Sequence, residues 1–474
     1  MKALRYLIIG LLVVTLVACK PNKQQVDNTL DISDLLIIVE KDDQIGLINQ
    51  QGETIVSLQY DDIRRCGTYY LAQDEHIDIL DYQGELVNRI DDASLNGYST
   101  FDCPSATEET SISTIFSYTA NNLIGFANLD GIVLISPQYM SGQAYFREYG
   151  VARVTNSDGK LGFIDRDGST IITFDHVNMG HPSSERIVAT KDGSFGVYDT
   201  SGNLVIPMEY QYITAYNGDI AIASKTIGDQ YLYGAIDTAG NIVIPFQYEF
   251  LSFATHGNLV LFQEGLKFGY LDFYGNQVLE PNYALPLNFS EAGYAHYFNG
   301  SLVSLIKNDG TTVFEFFGQE IYRADSRGEY YVIFNNNTYY VYDNQGNQVL
   351  SSDLQINYIY DDLAFFIDEE NDTQGFMDMN ESILYDGDGI VIPGSNLDYG
   401  IYRVQLTDGE DITYRFVNRN GDYINDITYD NAYTITIFGL IPVAQDGLWG
   451  FINPEGDIVV PLEYDNIEVG LMIS

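Results

Sequence analysis

Residues 195–210, FGVYDTSGNLVIPMEY, contain the signals that decide the fold. The first half is a short run of β-favouring residues. Asp199 to Gly202 then has the composition of a hairpin loop, in which Asp holds the local backbone and Gly accepts a positive φ. Residues 203–206 predict the returning strand, and Pro207 predicts its end because proline cannot donate a ladder hydrogen bond. The segment therefore predicts a small antiparallel unit.

The same pattern recurs along the whole chain, with two glycines six residues apart. Its first half returns as LGFIDRDG (161–168), YGAIDTAG (233–240), FGYLDFYG (268–275) and WGFINPEG (449–456), and its second half returns as IVIPFQY (242–248) and IVVPLEYD (458–465). The second glycine, replaced once by Glu, marks twelve repeats: Gly52, Gly84, Gly131, Gly168, Gly202, Gly240, Gly275, Gly310, Gly346, Glu381, Gly421 and Gly456. Such regular spacing indicates a tandem array.

The composite motif resembles the WG repeat, also written KWG, of bacterial proteins. The resemblance covers about residues 34–474. Only Trp449-Gly450 has the eponymous tryptophan, and Ile, Leu, Phe, Tyr or Val stands there in most other copies. The chain therefore resembles a divergent member of that family.

A single unit of this size cannot bury its own apolar face, so neighbouring units must stack. Closed propellers typically have 4–8 blades, fewer than the twelve repeats here. Residues 35–39 and 470–473 also look like the same kind of strand at the two ends of the array, which leaves one strand extra. We therefore expect an all-β tandem array of about twelve short antiparallel β-hairpin or meander repeats. An open superhelical stack is favoured over propeller-like closure.

One interval between markers is longer than the others. It separates Gly84 from Gly131 and contains a Ser/Thr-rich stretch, residues 99–117, that includes Cys103-Pro104. We expect this stretch to be a loop insertion. Cys66 and Cys103 are close to one repeat length apart, so stacking can bring them together as a disulfide, and two free buried thiols remain the alternative.

Residues 1–18 have the organisation of an export signal. Lys2 and Arg5 precede an apolar run, and the run ends in LVAC at residues 16–19. This end resembles the lipobox of bacterial lipoproteins, in which the signal is cut before the cysteine and the thiol receives a diacylglycerol. An ordinary secretory signal and a short single-pass anchor remain alternatives.

The resemblance implies three regions in the chain. They are a lipoprotein signal peptide at 1–18, a lipid-anchored tether at 19–33 with the lipid and its palmitate on Cys19, and the WG-like array at 34–474. It also implies a place in the bacterial cell envelope. The anchor sits either on the extracytoplasmic face of the cytoplasmic membrane or on the outer membrane.

Charge excludes some partners. The 474 residues include 67 acidic and 22 basic side chains, a formal net charge of −45. Nucleic acid is excluded, because phosphate binding needs clustered cations. Adhesion of the protein surface to anionic lipid is excluded for the same reason, so we expect membrane contact through the N-terminal lipid alone.

The residues that usually carry chemistry do not form a recognisable set. The five histidines lack a zinc framework, and Asp-rich turns such as 165–168 and 386–389 lack the remaining ligands of a calcium loop. Weak binding of divalent cations by the acidic surface stays open. We expect no cofactor, no metal site and no enzyme activity. The histidines are His76, His176, His181, His256 and His296.

These observations predict a non-enzymatic, lipid-anchored envelope protein that acts as a repeat-built interaction or adhesion scaffold for a protein or glycan partner. Aromatic runs at 330–331, 339–342 and 358–360 are interpreted as strand packing, with sugar stacking as the alternative. Two other functions remain open. One is a carbohydrate-active enzyme with an unidentified acidic pair, and the other is a passive structural spacer.

Overall fold

The computed structural model describes residues 35–105, 108, 110–325, 327–392, 399–409 and 411–467. The predicted signal peptide 1–18, Cys19 and the tether 19–33 lie outside these residues, as does the segment 470–473. The described strands form twelve antiparallel sheets, which we call blades 1 to 12 in chain order.

Blades 1 to 4 occupy the first third of the chain. Blade 1 contains β1 (Ile37–Lys41), β2 (Gln44–Ile48) and β3 (Thr54–Tyr60). Blade 2 contains β4 (Asp62–Cys66), β5 (Tyr69–Gln73), β6 (Ile77–Leu80) and β7 (Leu86–Ile90). Blade 3 contains β8 (Ile115–Ala120), β9 (Leu123–Asn128) and β10 (Val133–Tyr139). Blade 4 contains β11 (Ser141–Tyr145), β12 (Val151–Thr155), β13 (Leu161–Asp165) and β14 (Thr170–His176).

Blades 5 to 8 follow. Blade 5 contains β15 (Asn178–Met179), β16 (Arg186–Lys191), β17 (Ser194–Asp199) and β18 (Leu204–Tyr210). Blade 6 contains β19 (Tyr212–Ile213), β20 (Ile220–Ile227), β21 (Gln230–Asp237) and β22 (Ile242–Tyr248). Blade 7 contains β23 (Leu251–Phe253), β24 (Leu259–Glu264), β25 (Lys267–Asp272) and β26 (Gln277–Tyr283). Blade 8 contains β27 (Tyr294–Phe298), β28 (Leu302–Lys307) and β29 (Thr312–Phe317).

Blades 9 to 12 complete the set. Blade 9 contains β30 (Glu320–Arg323), β31 (Tyr330–Asn335), β32 (Thr338–Asp343) and β33 (Gln348–Ser352). Blade 10 contains β34 (Gln355–Tyr360), β35 (Leu363–Asp368), β36 (Thr373–Asp378) and β37 (Ile383–Gly387). Blade 11 contains β38 (Ile390–Ile392), β39 (Ile401–Asp408) and β40 (Asp411–Asn418). Blade 12 contains β41 (Asn431–Ala432), β42 (Ile441–Gln445), β43 (Leu448–Ile452) and β44 (Ile458–Tyr464).

In every blade except blade 11, the turn that contains the marker residue joins the last two strands, as the sequence predicts. In blade 5 the carboxylate of Asp199 accepts hydrogen bonds from the N–H groups of Ser201 and Asn203 at 3.0 and 2.8 Å. Gly202 follows with φ 86°, which a side chain would disfavour. All twelve marker residues have positive φ, and Glu381 is among them with φ 67°. Local turn chemistry therefore defines every repeat.

Each blade packs against the next through its own apolar cluster. Between blades 5 and 6, for example, Val197 and Ile206 pack with Ile213 and Ala221, and all four side chains are buried. Equivalent clusters occur at every junction between neighbouring described blades. The core is therefore a series of interfaces, as expected for a repeat protein.

The array closes into a ring, so the prediction of an open superhelical stack was wrong. A further strand, β45 (Asn466–Ile467), pairs with β1 of blade 1 through Glu40 and Val39. The N–H of Asp465 donates to the Glu40 carbonyl at 2.9 Å. The structure is therefore a twelve-bladed β-propeller.

The ring closes because the first and the last described strands are different strands of the same blade. Residues 37–41 form the second strand of a blade, whereas 466–467 form the first strand of that same blade. The two therefore complete one sheet, and none of the described strands is left over. The side chains of Ile37, Val39 and Ile48 pack with Phe451 and others of blade 12 in the same kind of cluster as at other junctions.

Pro207 does not end its strand, contrary to the sequence prediction. It lies inside β18, at a bulge where the ladder with β17 skips from the pair Val197–Ile206 to the pair Phe195–Tyr210. A bulge leaves residues unpaired, so the missing N–H of proline costs no ladder bond there. The strand continues beyond it to Tyr210.

Candidate functional site

A pocket of about 630 Å³ lies where the loop insertion meets blades 4 and 5. Its walls come from three separate parts of the chain: residues 101–103 of the insertion, Tyr145 with residues 147–149 after the first strand of blade 4, and residues 181–182 after the first strand of blade 5. In an antiparallel blade, the segment after the first strand and the Asp-x-x-Gly turn lie at the same edge. The pocket is therefore on the ring face that carries those turns.

The long repeat interval does contain an insertion, but it spans residues 91–114, between β7 and β8, so it begins before the predicted 99–117, and residues 115–117 belong to β8. It is tied to blade 2 by a disulfide between Cys103 and Cys66, whose Cα atoms are 5.0 Å apart. This is one of the two arrangements that the sequence left open. The Thr68 N–H also donates to the Thr110 hydroxyl at 3.1 Å. These links hold Phe101 and Asp102 beside the pocket.

Asp102 is a half-buried acid in the pocket wall. Its carboxylate accepts a hydrogen bond from the Arg147 N–H at 2.8 Å. Burial nevertheless raises the pKa of Asp102 to about 6, because it outweighs that bond and the charges of Arg166 and Arg147. Asp102 therefore titrates close to neutral pH.

The guanidinium of Arg147 is already paired. It contacts a carboxylate oxygen of Glu108 at 2.7 Å. This hydrogen bond from Arg147, with others from Ser105, lowers the pKa of Glu108 to about 2. The positive charge at the pocket edge is therefore largely neutralised by the insertion itself.

A chain of hydrogen bonds sets the orientation of His181. The Tyr145 hydroxyl donates to Gln143 Oε1 at 2.8 Å, and Arg153 donates to the same oxygen at 2.7 Å. His181 Nδ1 also contacts the Tyr145 hydroxyl. Tyr145 has one hydroxyl hydrogen and uses it on Gln143, so Nδ1–H of His181 must be the donor in this second contact.

The consequence is a neutral imidazole with Nε2 as an acceptor. Partial burial, together with the charge of Arg153, lowers the pKa of His181 below its usual value. His181 is itself exposed in the pocket. Its Nε2 can therefore accept a hydrogen bond from a ligand.

Aromatic rings form the apolar surface of the pocket. Phe101, which is 48% exposed, packs edge-on to Tyr145 with ring centroids 5.5 Å apart. The rings of Phe101 and His181 lie nearly parallel, with an interplanar angle of 27° and centroids 6.4 Å apart. Tyr149 lines another part of the wall, and burial is the main cause that raises its pKa to about 12. The pocket thus combines ring faces with hydrogen-bond acceptors.

Other residues considered from the sequence have structural roles. His176 is buried, and its ring nitrogens contact the Thr173 carbonyl and the Tyr198 hydroxyl. Asp165 accepts N–H groups of its own turn, as Asp199 does. No group of three or more His, Cys, Asp or Glu side chains in the described residues is arranged to hold a metal ion. Among the same residues, no helix is long and apolar enough to cross a bilayer.

The aromatic runs in blades 9 and 10 pack within and between strands. Tyr331 is fully buried in the core cluster with Tyr294 and Leu305. Tyr358 and Tyr360 pack against the cluster shared by blades 10 and 11. The interpretation of these runs as strand packing is therefore confirmed for these residues. The signal that could have found Phe101 was the insertion, because residues added to a repeat are not needed to build it.

Fold and site together define a β-propeller repeat protein with a candidate pocket formed in part by an insertion. The family described as WG containing repeat matches residues 45–65, 195–226, 233–266 and 449–469. These four regions of the chain match the WG repeat, which confirms the resemblance to that repeat family. No curated protein matches the chain.

Solved structures with similar architecture share few residues with this chain. A eukaryotic initiation factor is 12% identical, with a TM-score of 0.32, over 70% of this chain and 98% of its own. Hsv2p of Kluyveromyces lactis is 11% identical, with a TM-score of 0.24, over 50% and 93%. AztD of Citrobacter koseri is 11% identical, with a TM-score of 0.22, over 66% and 91%.

Proposed function

We propose that this protein is a non-enzymatic, lipid-anchored interaction scaffold of the bacterial envelope, and that it binds its partner in the pocket at the insertion. The observation that carries the proposal is the origin of the pocket. Apart from Tyr145, the last residue of β11, its walls come from an insertion and from segments that link strands, and none of the twelve marker turns lines it. Loops placed on a rigid repeat scaffold are the usual position of binding residues.

The anchor is the second part of the proposal. The sequence LVAC at 16–19 supports lipid attachment at Cys19, and the acidic body supports an anchor because it has little attraction for anionic headgroups. We expect Cys19→Ser to abolish labelling of the protein by a fatty-acid analogue in cells. Unchanged labelling of Cys19→Ser would disprove lipid attachment at this residue.

A pull-down from native envelopes tests the binding role. The bait is the full chain in detergent, and the matched variants are Phe101→Ala in the pocket and Tyr274→Ala outside it. Tyr274 is 81% exposed in the Asp-x-x-Gly turn of blade 7, on the same ring face. We expect saturable retention that Phe101→Ala removes and Tyr274→Ala leaves intact. Absence of retention by the unmodified chain would favour a passive spacer.

A carbohydrate-active enzyme is the second candidate, because one observation favours it. Asp102, with its raised pKa, and Glu148 line the same pocket, and two carboxyl groups are the usual equipment of a glycosidase. Under the proposed function, incubation with oligosaccharides leaves them intact. If the protein hydrolyses an oligosaccharide, and if Asp102→Asn and Glu148→Gln each abolish that hydrolysis, the protein is an enzyme and the scaffold proposal is wrong.

A further inference from the structure

The pocket combines ring faces, hydrogen-bond acceptors and balanced charge, and this combination specifies a chemical class of ligand. We propose that it binds an uncharged sugar, with a pyranose ring against the aromatic wall and its hydroxyl groups donating to Asp102 and to Nε2 of His181. The inference rests on the proposed function, since it names the ligand of the same pocket.

The aromatic wall fits the apolar side of a sugar ring. Phe101 and His181 present nearly parallel rings, and Phe101 is held at its angle by the edge-on contact with Tyr145. The disulfide at Cys103 fixes the backbone two residues away from Phe101. Aromatic rings that are already held in place bind a ligand with little further loss of conformational entropy. The volume of about 630 Å³ lies in the range of small-molecule sites.

The polar groups of the pocket are hydrogen-bond acceptors, so they favour a ligand whose groups donate hydrogen bonds. The Asp102 carboxylate accepts hydrogen bonds when ionised, and the tautomer imposed by Tyr145 leaves His181 Nε2 as an acceptor as well. Both therefore prefer hydroxyl groups, which donate. The exposed side chain of Glu148 adds another carboxylate at the rim.

Charge balance argues for a neutral ligand. Arg147 is paired with Glu108, while Arg166 and Arg153 act on Asp102 and His181 from behind the pocket wall. Among the described residues that line the pocket, the guanidinium is that of Arg147, and its pairing leaves it poorly placed to clamp a carboxylate or phosphate. The net charge of −45 over the whole chain also repels anionic ligands.

Saturation-transfer difference NMR with the full chain tests the inference, in a detergent whose headgroup is not a sugar. The probes are methyl β-glucoside, methyl β-galactoside, methyl α-mannoside and methyl N-acetyl-β-glucosaminide, with methyl β-glucuronide as the acidic counterpart of the first. We expect transfer to the ring protons of at least one neutral probe. Transfer to the glucuronide should be at least tenfold weaker than to that probe.

Variants locate the binding. Phe101→Ala and Asp102→Asn should each weaken the interaction with the neutral probe at least tenfold, while Tyr274→Ala should change it less than twofold. Equal or stronger binding of the glucuronide, or binding that survives Phe101→Ala, overturns the inference.

The envelope pull-down separates this failure from failure of the proposed function. Retention that depends on Phe101, combined with no transfer to any sugar, shows a pocket with another ligand and overturns only the sugar assignment. Retention that is indifferent to Phe101 overturns the pocket itself. No retention and no transfer overturn both proposals.

Discussion

Blades 2 and 5 differ in how their third and fourth strands pair. In blade 5 the motif glycine Gly196 lies beneath the bulge of β18, where a Cβ atom would stand 2.7 Å from the Ile206 carbonyl oxygen. In blade 2 the residue six positions before the marker Gly84 is Asp78, and β7 pairs with β6 in register with no bulge at this position. The consensus glycine is therefore required by the bulge of the neighbouring strand.

Most of the other blades show the same relation between the motif glycine and the bulge. Glycine underlies a bulged fourth strand of seven residues in blades 1, 3, 4, 6, 7 and 12 as well. Blades 8 and 9 have Ser304 and Tyr340 at this position and regular pairing there. Blade 10 keeps Gly375 yet pairs it directly with Asp386. Glycine therefore permits the bulge but does not create it.

Blade 2 replaces the bulge with a polar network. Asp78 is buried and accepts two hydrogen bonds from Arg89, at 2.6 and 2.9 Å, and one from the Tyr60 hydroxyl at 2.9 Å. These bonds outweigh its burial and lower its pKa. Blade 2 also anchors the disulfide. The atypical blade is thus the one that supports the insertion and its pocket.

The largest effect is expected from the disulfide. The double variant Cys66→Ser with Cys103→Ser should lower the free energy of unfolding by about 3–4 kcal/mol, because the bond closes a loop of intermediate length in the unfolded chain. Chemical denaturation measures the change. A reductant should produce the same loss in the unmodified protein and none in the double variant, and equal stability of all samples would contradict the structural role.

Loss of the Asp78 carboxylate should have the next largest effect. Asp78→Ala leaves Arg89 and Tyr60 without their acceptor and should cost about 3 kcal/mol. Asp78→Gly restores the consensus residue, but it should be no more stable than Asp78→Ala, because β7 has no bulge that requires a glycine beside it. Thermal melting of both variants checks this, and wild-type stability of Asp78→Gly would break the distinction between the two kinds of blade.

The glycine of blade 5 should tolerate substitution poorly. Gly196→Ala places a methyl group against the Ile206 carbonyl and the Met208 N–H, so we expect a cost of about 2 kcal/mol. Ser304→Ala is the matched control at the same repeat position in a regular blade, where only a hydrogen bond to Glu315 is lost. We expect about 1 kcal/mol or less for this control. Similar denaturation midpoints for the two variants would refute the role assigned to the bulge.

The smallest effect concerns pH. Asp199 in the repeat turn has a lowered pKa because hydrogen bonds from Asn203 and its neighbours outweigh burial, whereas burial raises the pKa of Asp102. A raised folded-state pKa means that Asp102 favours the protonated form. Its unfavourable contribution is therefore present at pH 7 and disappears as the pH falls through about 6 toward its unfolded value of about 4.

The measurement is the free energy of unfolding between pH 7 and 5. After discounting for partial exposure, Asp102 should add roughly 1 kcal/mol of stability over this range, and Asp102→Asn should remove that change. The charges of Arg166 and Arg147 lower the pKa of the same carboxyl group, and the pKa of Arg147 is itself raised, further from this window. The pKa of Glu108, the partner of Arg147, is lowered to about 2 and also lies outside the window. An unaltered pH profile in Asp102→Asn would show that its burial has no such effect.

Much of the candidate site could not be predicted from sequence. The insertion and the possibility of a disulfide were visible, because residues 99–117 interrupt the repeat spacing and two cysteines lie about one repeat apart. Phe101, Arg147 and His181 could not be connected. They lie in the insertion, in blade 4 and in blade 5, and they meet only because the blades stack with a fixed rotation.

The sequence by itself determined the repeats: twelve marker positions, all with positive φ, and an all-β chain of short antiparallel units. Turns and hairpins depend on residues a few positions apart, so their chemistry is legible in a short stretch such as 195–210. Only the tertiary structure decided closure. It depends on the small rotation between successive blades, which accumulates until Asn466 meets Glu40, 426 residues away in the chain. A short stretch of sequence cannot show this accumulated rotation. The pocket could not be predicted either, because it also depends on how successive blades are rotated.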